Sequence, residues 1–219
     1  MRLNASSLCI AIAVSTTALV GTTRALAYEP GDTVIRGGLA TIAPGGSYSS
    51  VANGAFDLRA DRDTQAGVSL SYMVSRNMSV DLLASTPFEH DIEASQLGGS
   101  TIGSTKHLPP TVTVSWFPLA GADLGFKPYV GAGFNYTTFW DEELNGTGQT
   151  ATGATDLSLD DSLGLAAQAG VDVPLDRQWS VGASVYYADI DTDAELNGTD
   201  IGTVEIDPTI YRAHVVYTF

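Results

Sequence analysis

The last ten residues of the chain, IYRAHVVYTF (210–219), put Tyr211, Ala213, Val215, Tyr217 and Phe219 on one face and Ile210, Arg212, His214, Val216 and Thr218 on the other. A period of two is the signature of a β-strand. The same alternation occupies seven earlier stretches, at about 33–41, 65–73, 78–86, 111–117, 126–139, 161–173 and 179–189, and the final one extends over 208–219. The links between them also alternate. VSRN, PLAGADLG and PLDRQ are short, whereas 42–64, 87–110, 140–160 and 190–207 are long. An even number of antiparallel strands with short turns on one side and long loops on the other is the layout of an outer-membrane barrel, with both termini on the short-turn, periplasmic side.

The faces of the strands favour lipid over a buried core. QAGVSLSYM sets Ala66, Val68, Leu70 and Tyr72 against Gly67, Ser69 and Ser71, and WSVGASVYY sets Trp179, Val181, Ala183, Val185 and Tyr187 against Ser180, Gly182 and Ser184. Inward positions this small would leave a soluble core full of voids. Trp179, Tyr217 and Phe219 at one end, with Tyr136 and Tyr211 at the other, suit the aromatic girdles of the two membrane interfaces. Closure into a barrel removes the unpaired strand edges that lipid cannot satisfy. The expected fold is all-β, an eight-stranded antiparallel transmembrane β-barrel.

The N-terminal stretch supplies the compartment. Arg2, an apolar run from Leu8 to Val20 and the small-x-small site Ala25-Leu26-Ala27 read as a secretory signal peptide over 1–27, leaving the barrel at 28–219. Cys9, the single cysteine, leaves with the signal, so the mature chain has no thiol chemistry. Loss of Arg2 and Arg24 moves the net charge from −15 to −17. So acidic a chain excludes nucleic acid as a partner, since it would approach a polyphosphate against its own field. Elsewhere no run approaches the roughly 20 apolar residues of a membrane helix.

Strand parity assigns the lumen. The inward face carries Arg36, Asp81, Lys127 and Asp172 low in the bore, with Arg212, His214, Gln168 and Asn135 above them. Eight strands enclose a space that side chains nearly fill, so these groups predict a polar plug. Higher up, Leu83, Phe139, Tyr186 and Ile210 point inward with Phe88 at the rim, predicting an apolar funnel. Pro87, Pro109 and Pro110 cannot donate ladder hydrogen bonds. Their clustering at the tops of the third and fourth barrel strands marks a candidate lateral seam.

Other constellations carry less. DIDTDAELNGTD spaces Asp189, Asp191 and Asp193 like the start of a calcium loop, but Ala194 stands where the pattern needs Gly and Asp200 where it needs Glu, so it reads as a solvated acidic loop. Asn145-Gly-Thr and Asn197-Gly-Thr read as hairpin turns. GAGFNY has no following helix and is no nucleotide loop. His90, His107 and His214 have no convincing Ser partner for a lipid-facing hydrolytic site. No enzyme, cofactor or metal is expected.

LLASTPFEHDI, KHLPPTVTVSWF, KPYVGAGFNYTTFWDE, DLSLDDSLGLAAQAGVDV and SVYYADIDT resemble the outer membrane protein W family, including members associated with alkane uptake. The resemblance covers nearly all of the mature chain. It implies an eight-stranded barrel of the bacterial outer membrane that admits small hydrophobic molecules, and a terminal Phe219 read by the outer-membrane assembly machinery. The expected partners are therefore hydrophobic solutes, lipopolysaccharide and outer-membrane lipid, with the barrel acting as a monomer. The alternative is a structural or adhesive barrel that displays acidic loops and transports nothing.

Overall fold

The computed structural model describes residues 27–43, 49–122 and 124–219, so the segment read as a signal peptide lies, but for Ala27, outside the described residues. Fifteen strands follow one another among the described residues: β1 (Thr33–Ala43), β2 (Ser49–Val51), β3 (Phe56–Ala60), β4 (Asp63–Ser75), β5 (Met78–Ser85), β6 (Phe88–Ala94), β7 (Ser100–Leu108), β8 (Thr111–Trp116), β9 (Lys127–Leu144), β10 (Leu157–Leu159), β11 (Ser162–Pro174), β12 (Trp179–Ala188), β13 (Asp191–Leu196), β14 (Thr199–Glu205) and β15 (Thr209–Thr218). A helix, α1 (Gly146–Thr152), stands between β9 and β10.

Eight strands close the barrel in the order β1-β4-β5-β8-β9-β11-β12-β15, each antiparallel to the next, and β15 returns to pair with β1 from Val34↔Thr218 to Ala43↔Thr209. The eight stretches of period-two sequence correspond to these eight strands. Outward side chains form an apolar belt, with Leu163, Leu39 and Phe134 73%, 63% and 62% exposed. In water that surface would be a severe liability, and in lipid it is the matching solvent. Trp179, Tyr217 and Phe219 form an edge-to-face aromatic series at the periplasmic end, with ring centroids 4.8 and 4.7 Å apart.

The long links differ from the irregular loops that their composition suggests. β9 continues to Leu144, and β7, β6, β3 and β2 build outward from its upper half, while β10, β13 and β14 form a separate three-stranded sheet. Local turn chemistry explains part of this. Asn197 and Gly198 take φ of +50° and +74° between Leu196 and Thr199, the two-residue turn that matches hairpin twist. Asn145 instead caps α1, its side chain accepting from the Thr147 and Gly148 amides at 2.9 Å. The acidic stretch read as a solvated loop is largely strand β13, and its Asp189 and Asp191 meet Asp207 in one acidic cluster.

Candidate functional site

The lumen is layered along its axis. At the periplasmic end Tyr28, Val34, Met73, Phe117, Tyr129 and Val216 pack into an apolar floor. Lys127 lies at this level, half-buried, with its ammonium 3.7 Å from the centre of the Tyr28 ring. Sequence parity places Lys127 with the charged groups, and the floor is completed by Tyr28, which precedes the first strand.

Above the floor is the charged layer. Asp172 is fully buried and receives the Arg36 guanidinium at 2.8 and 3.1 Å, the Tyr28 hydroxyl at 2.9 Å and His214 Nε2 at 3.0 Å. Arg36 also donates to Ser71 at 2.6 Å and lies over the Tyr129 ring. A buried ion pair depends on further hydrogen bonds to its remaining valences, and Ser71, Tyr28 and His214 supply several of them here. Glycine provides the room: a Cβ on Gly182 would stand 2.5 Å from both Asp172 Oδ1 and His214 Nε2, and one on Gly170 would meet the Tyr129 ring at 2.4 Å. Asp81 belongs to a second network, accepting from Ser79 at 2.7 Å, Gln168 at 3.1 Å and the Ser115 hydroxyl. Arg212 reaches Tyr186 at 3.3 Å and Ser69 at 3.4 Å. The plug residues thus separate: Arg36 pairs with Asp172, Asp81 has its own network, Arg212 reaches Tyr186 and Ser69, and Lys127 lies over the Tyr28 ring.

Over the polar layers Leu83, Phe88, Tyr186 and Ile210 pack with Ala40 and Ile42, while Phe139 packs with Ala188 and Ile190. These are contacting clusters of buried side chains. The open apolar space lies higher, among the strands of the long links. A cavity of about 70 Å³ is lined by residues including Val51, Phe56, Leu58, Ile102, Leu144 and Leu196. The sequence reading places these residues in the long links, to which it assigns no strands. The signal available was short apolar alternation inside those loops, such as Ile201, Val204 and Ile206.

Between cluster and chamber stands a neck of stacked rings. His107 lies 5.7 Å from Phe88, 5.0 Å from His90 and 5.6 Å from Phe139, centre to centre. His90 faces Thr105 across the β6–β7 ladder, and Thr105 lines the chamber floor. Their outward neighbours Glu89 and Lys106 are charged, and Lys106 pairs with Asp141 at 3.1 Å, so this level stands clear of the lipid belt. Burial pushes the His107 imidazole down to about 3, with His90 beside it adding to the effect. Burial also lowers His90. Both rings are neutral at physiological pH.

The barrel wall has an uneven top. The β5–β8 ladder ends at Leu83↔Thr111. On either side pairing carries further: the Thr86 amide donates to the Ala66 carbonyl on β4, and on β9 Tyr136 N donates to Pro110 O at 3.0 Å, beside the Asn135 side-chain amide, which donates to Pro109 O at 3.2 Å. Pro87, Pro109 and Pro110 therefore flank the stretch above the last β5–β8 pair, where the Ser85 hydroxyl is buried without a partner among the described residues.

Comparison with known proteins agrees with this geometry. The profile of the OmpW family matches residues 29–219. The chain belongs to the OmpW family. It is 45% identical over 199 residues to outer membrane protein W of Vibrio cholerae, covering 88% of this chain and 91% of that one. It is 42% identical over 219 residues to outer membrane protein W of Escherichia coli, covering 97% and 99%. The crystal structure of OprG from Pseudomonas aeruginosa superposes with a TM-score of 0.78 at 35% identity, covering 89% of this chain and 98% of that one. Like these relatives, this OmpW-family barrel resides in the bacterial outer membrane, and the family is one of non-enzymatic barrels.

Proposed function

We propose that the protein is a passive channel for small hydrophobic molecules, received from outside by the apolar chamber and released sideways into the bilayer. The observation that carries this reading is the chamber itself, a cavity with apolar walls set above a bore closed by buried charge. An apolar solute moving straight down would have to displace the Arg36–Asp172–His214 group, whose desolvated charges offer it no favourable contact. The upper β5–β8 seam gives a shorter path, since parting it breaks fewer ladder bonds than parting a fully paired edge. In this reading Leu83, Phe88, Phe139, Tyr186 and Ile210 form the apolar passage below the chamber, and must rearrange as solute passes. The barrel acts as a monomer amid lipopolysaccharide and outer-membrane lipid, and Phe219 is offered to the assembly machinery during insertion.

Reconstitution into lipid vesicles tests the proposal. Uptake of a small hydrocarbon should accelerate, while swelling in hydrophilic sugars should stay at the protein-free rate. Rapid swelling would mean an open aqueous pore. The closed packing of Leu83, Phe88, Tyr186 and Ile210 favours one rival, a structural anchor displaying acidic loops. Such an anchor would accelerate neither process.

A further inference from the structure

Arg212 is 3% exposed inside the bore, and the ion pairs formed among the described residues leave it out. A guanidinium carries five N–H donors. Those of Arg212 reach three acceptors, the Ser69 hydroxyl at 3.4 Å, the Tyr186 hydroxyl at 3.3 Å and the Arg36 carbonyl at 3.4 Å, all of them long. Its Nε has no partner among the described residues. Arg36, lower in the bore, shows the satisfied alternative, with Asp172 at 2.8 and 3.1 Å and Ser71 at 2.6 Å. The surroundings of Arg212 add donors instead of acceptors. Ser69 and Tyr186, 2% and 4% exposed, both accept from Arg212 Nη1, and neither has an acceptor for its own hydroxyl proton among the described residues. Asp81 is occupied by Ser79, Ser115 and Gln168. Gly67 leaves room beside the guanidinium, since a Cβ built there would stand 3.7 Å from Nε.

We infer that Arg212, Ser69 and Tyr186 hold a resident monatomic anion, a halide such as chloride, which is the counter-charge that the upper plug otherwise lacks. The uncommitted N–H groups of Arg212 and the two hydroxyls are donors, and a halide only accepts. A water would satisfy some of these donors but leave the buried charge unanswered, and an unpaired buried charge is costly. Size selects within the anions. Eight strands enclose a bore that side chains nearly fill, and Tyr186 packs on into the apolar cluster with Leu83 and Ile210, while the Arg36 carbonyl closes the side facing Nη2. One atom fits where a carboxylate or phosphate would force these neighbours apart. The site does not depend on solute entering the chamber, so it stands or falls separately from the transport reading.

Two measurements on the full chain test this. In lipid vesicles, urea unfolding is followed as chloride replaces gluconate, an anion too large for the site, at constant ionic strength. Once chloride exceeds its half-saturating concentration, each tenfold rise should lower the unfolding constant about tenfold. Arg212→Met should abolish the dependence, and Ser69→Ala should raise the half-saturating concentration about tenfold, the worth of roughly one net hydrogen bond. Crystals of the unsubstituted protein grown in bromide should show an anomalous peak in contact with Arg212 Nε. No peak at Arg212 would overturn the inference whatever the unfolding shows. A peak with unfolding indifferent to chloride would mark an adventitious ion only, and a chloride dependence that survives Arg212→Met would place the effect elsewhere, each likewise overturning it. The bromide crystal and the unsubstituted unfolding curves decide the matter even if Arg212→Met fails to fold.

Discussion

Asp172 and Arg36 meet at 2.8 Å in the middle of the barrel, with neither side chain reaching solvent. Removing one partner strands the other charge, which typically costs about 3–5 kcal/mol, whereas replacing both with apolar groups is often neutral. Arg36→Met should therefore lower unfolding stability by about 3–5 kcal/mol, and Arg36→Met combined with Asp172→Leu should recover most of the loss. Urea unfolding in lipid vesicles followed by tryptophan fluorescence checks this. A double variant as unstable as the single one would show that His214 and Tyr28, rather than the ion pair, dominate the layer.

The seam yields a second prediction. Continuing the register beyond Leu83↔Thr111 sets Ala84 across from Pro110. A cysteine pair at these two positions, once shown by mass spectrometry to bridge, should slow hydrocarbon uptake when oxidised and restore it when reduced. The sequence has one other cysteine, Cys9, which lies in the segment read as a signal peptide. Unchanged uptake with the bridge formed would exclude this exit.

The stacked histidines predict a pH response. Their folded-state values lie below the ordinary imidazole value, His107 at about 3, so the unfolded neck binds more protons than the folded one between those limits. Their contribution to stability is fully present above about 6.5 and is lost progressively as pH falls toward the folded-state value. Hydrogen-exchange protection in β6 and β7, taken relative to the intrinsic amide rate at each pH, should fall over that range, while protection in β1 and β15 stays high. Protection in β6 and β7 that is constant across this window would contradict the assignment.

The barrel was legible because lipid imposes strict alternation, and Leu70, Tyr72, Val181 and Val185 declare the outer face as plainly as Ser69, Ser71, Ser180 and Ser184 declare the inner one. Arg36 and Asp172 were assigned to one layer by parity, yet parity could not show that Asp81 joins Ser79, Ser115 and Gln168 instead. That division depends on stagger between strands, which one sequence does not encode locally. The chamber was less legible still. Its walls come from four separate links, and Leu58, Ile102, Leu144 and Val204 meet only after the extended strands fold over the barrel. His90 and His107 lie 17 positions apart in sequence and were set aside as loop residues, and only the β6–β7 pairing stacks their rings.

The most direct test of the central claim is hydrocarbon uptake into vesicles by a variant with the chamber filled. Ala194 lines the cavity and is buried, and it stands far from the ion-paired layer and from the seam. Ala194→Trp should occupy the space without disturbing the barrel, which heat-dependent gel mobility would verify. Uptake should fall by about tenfold or more, a loss of roughly 1.4 kcal/mol or more in solute affinity for the chamber. Uptake at the wild-type rate, with the indole shown by its fluorescence to be buried in the chamber, would contradict the account.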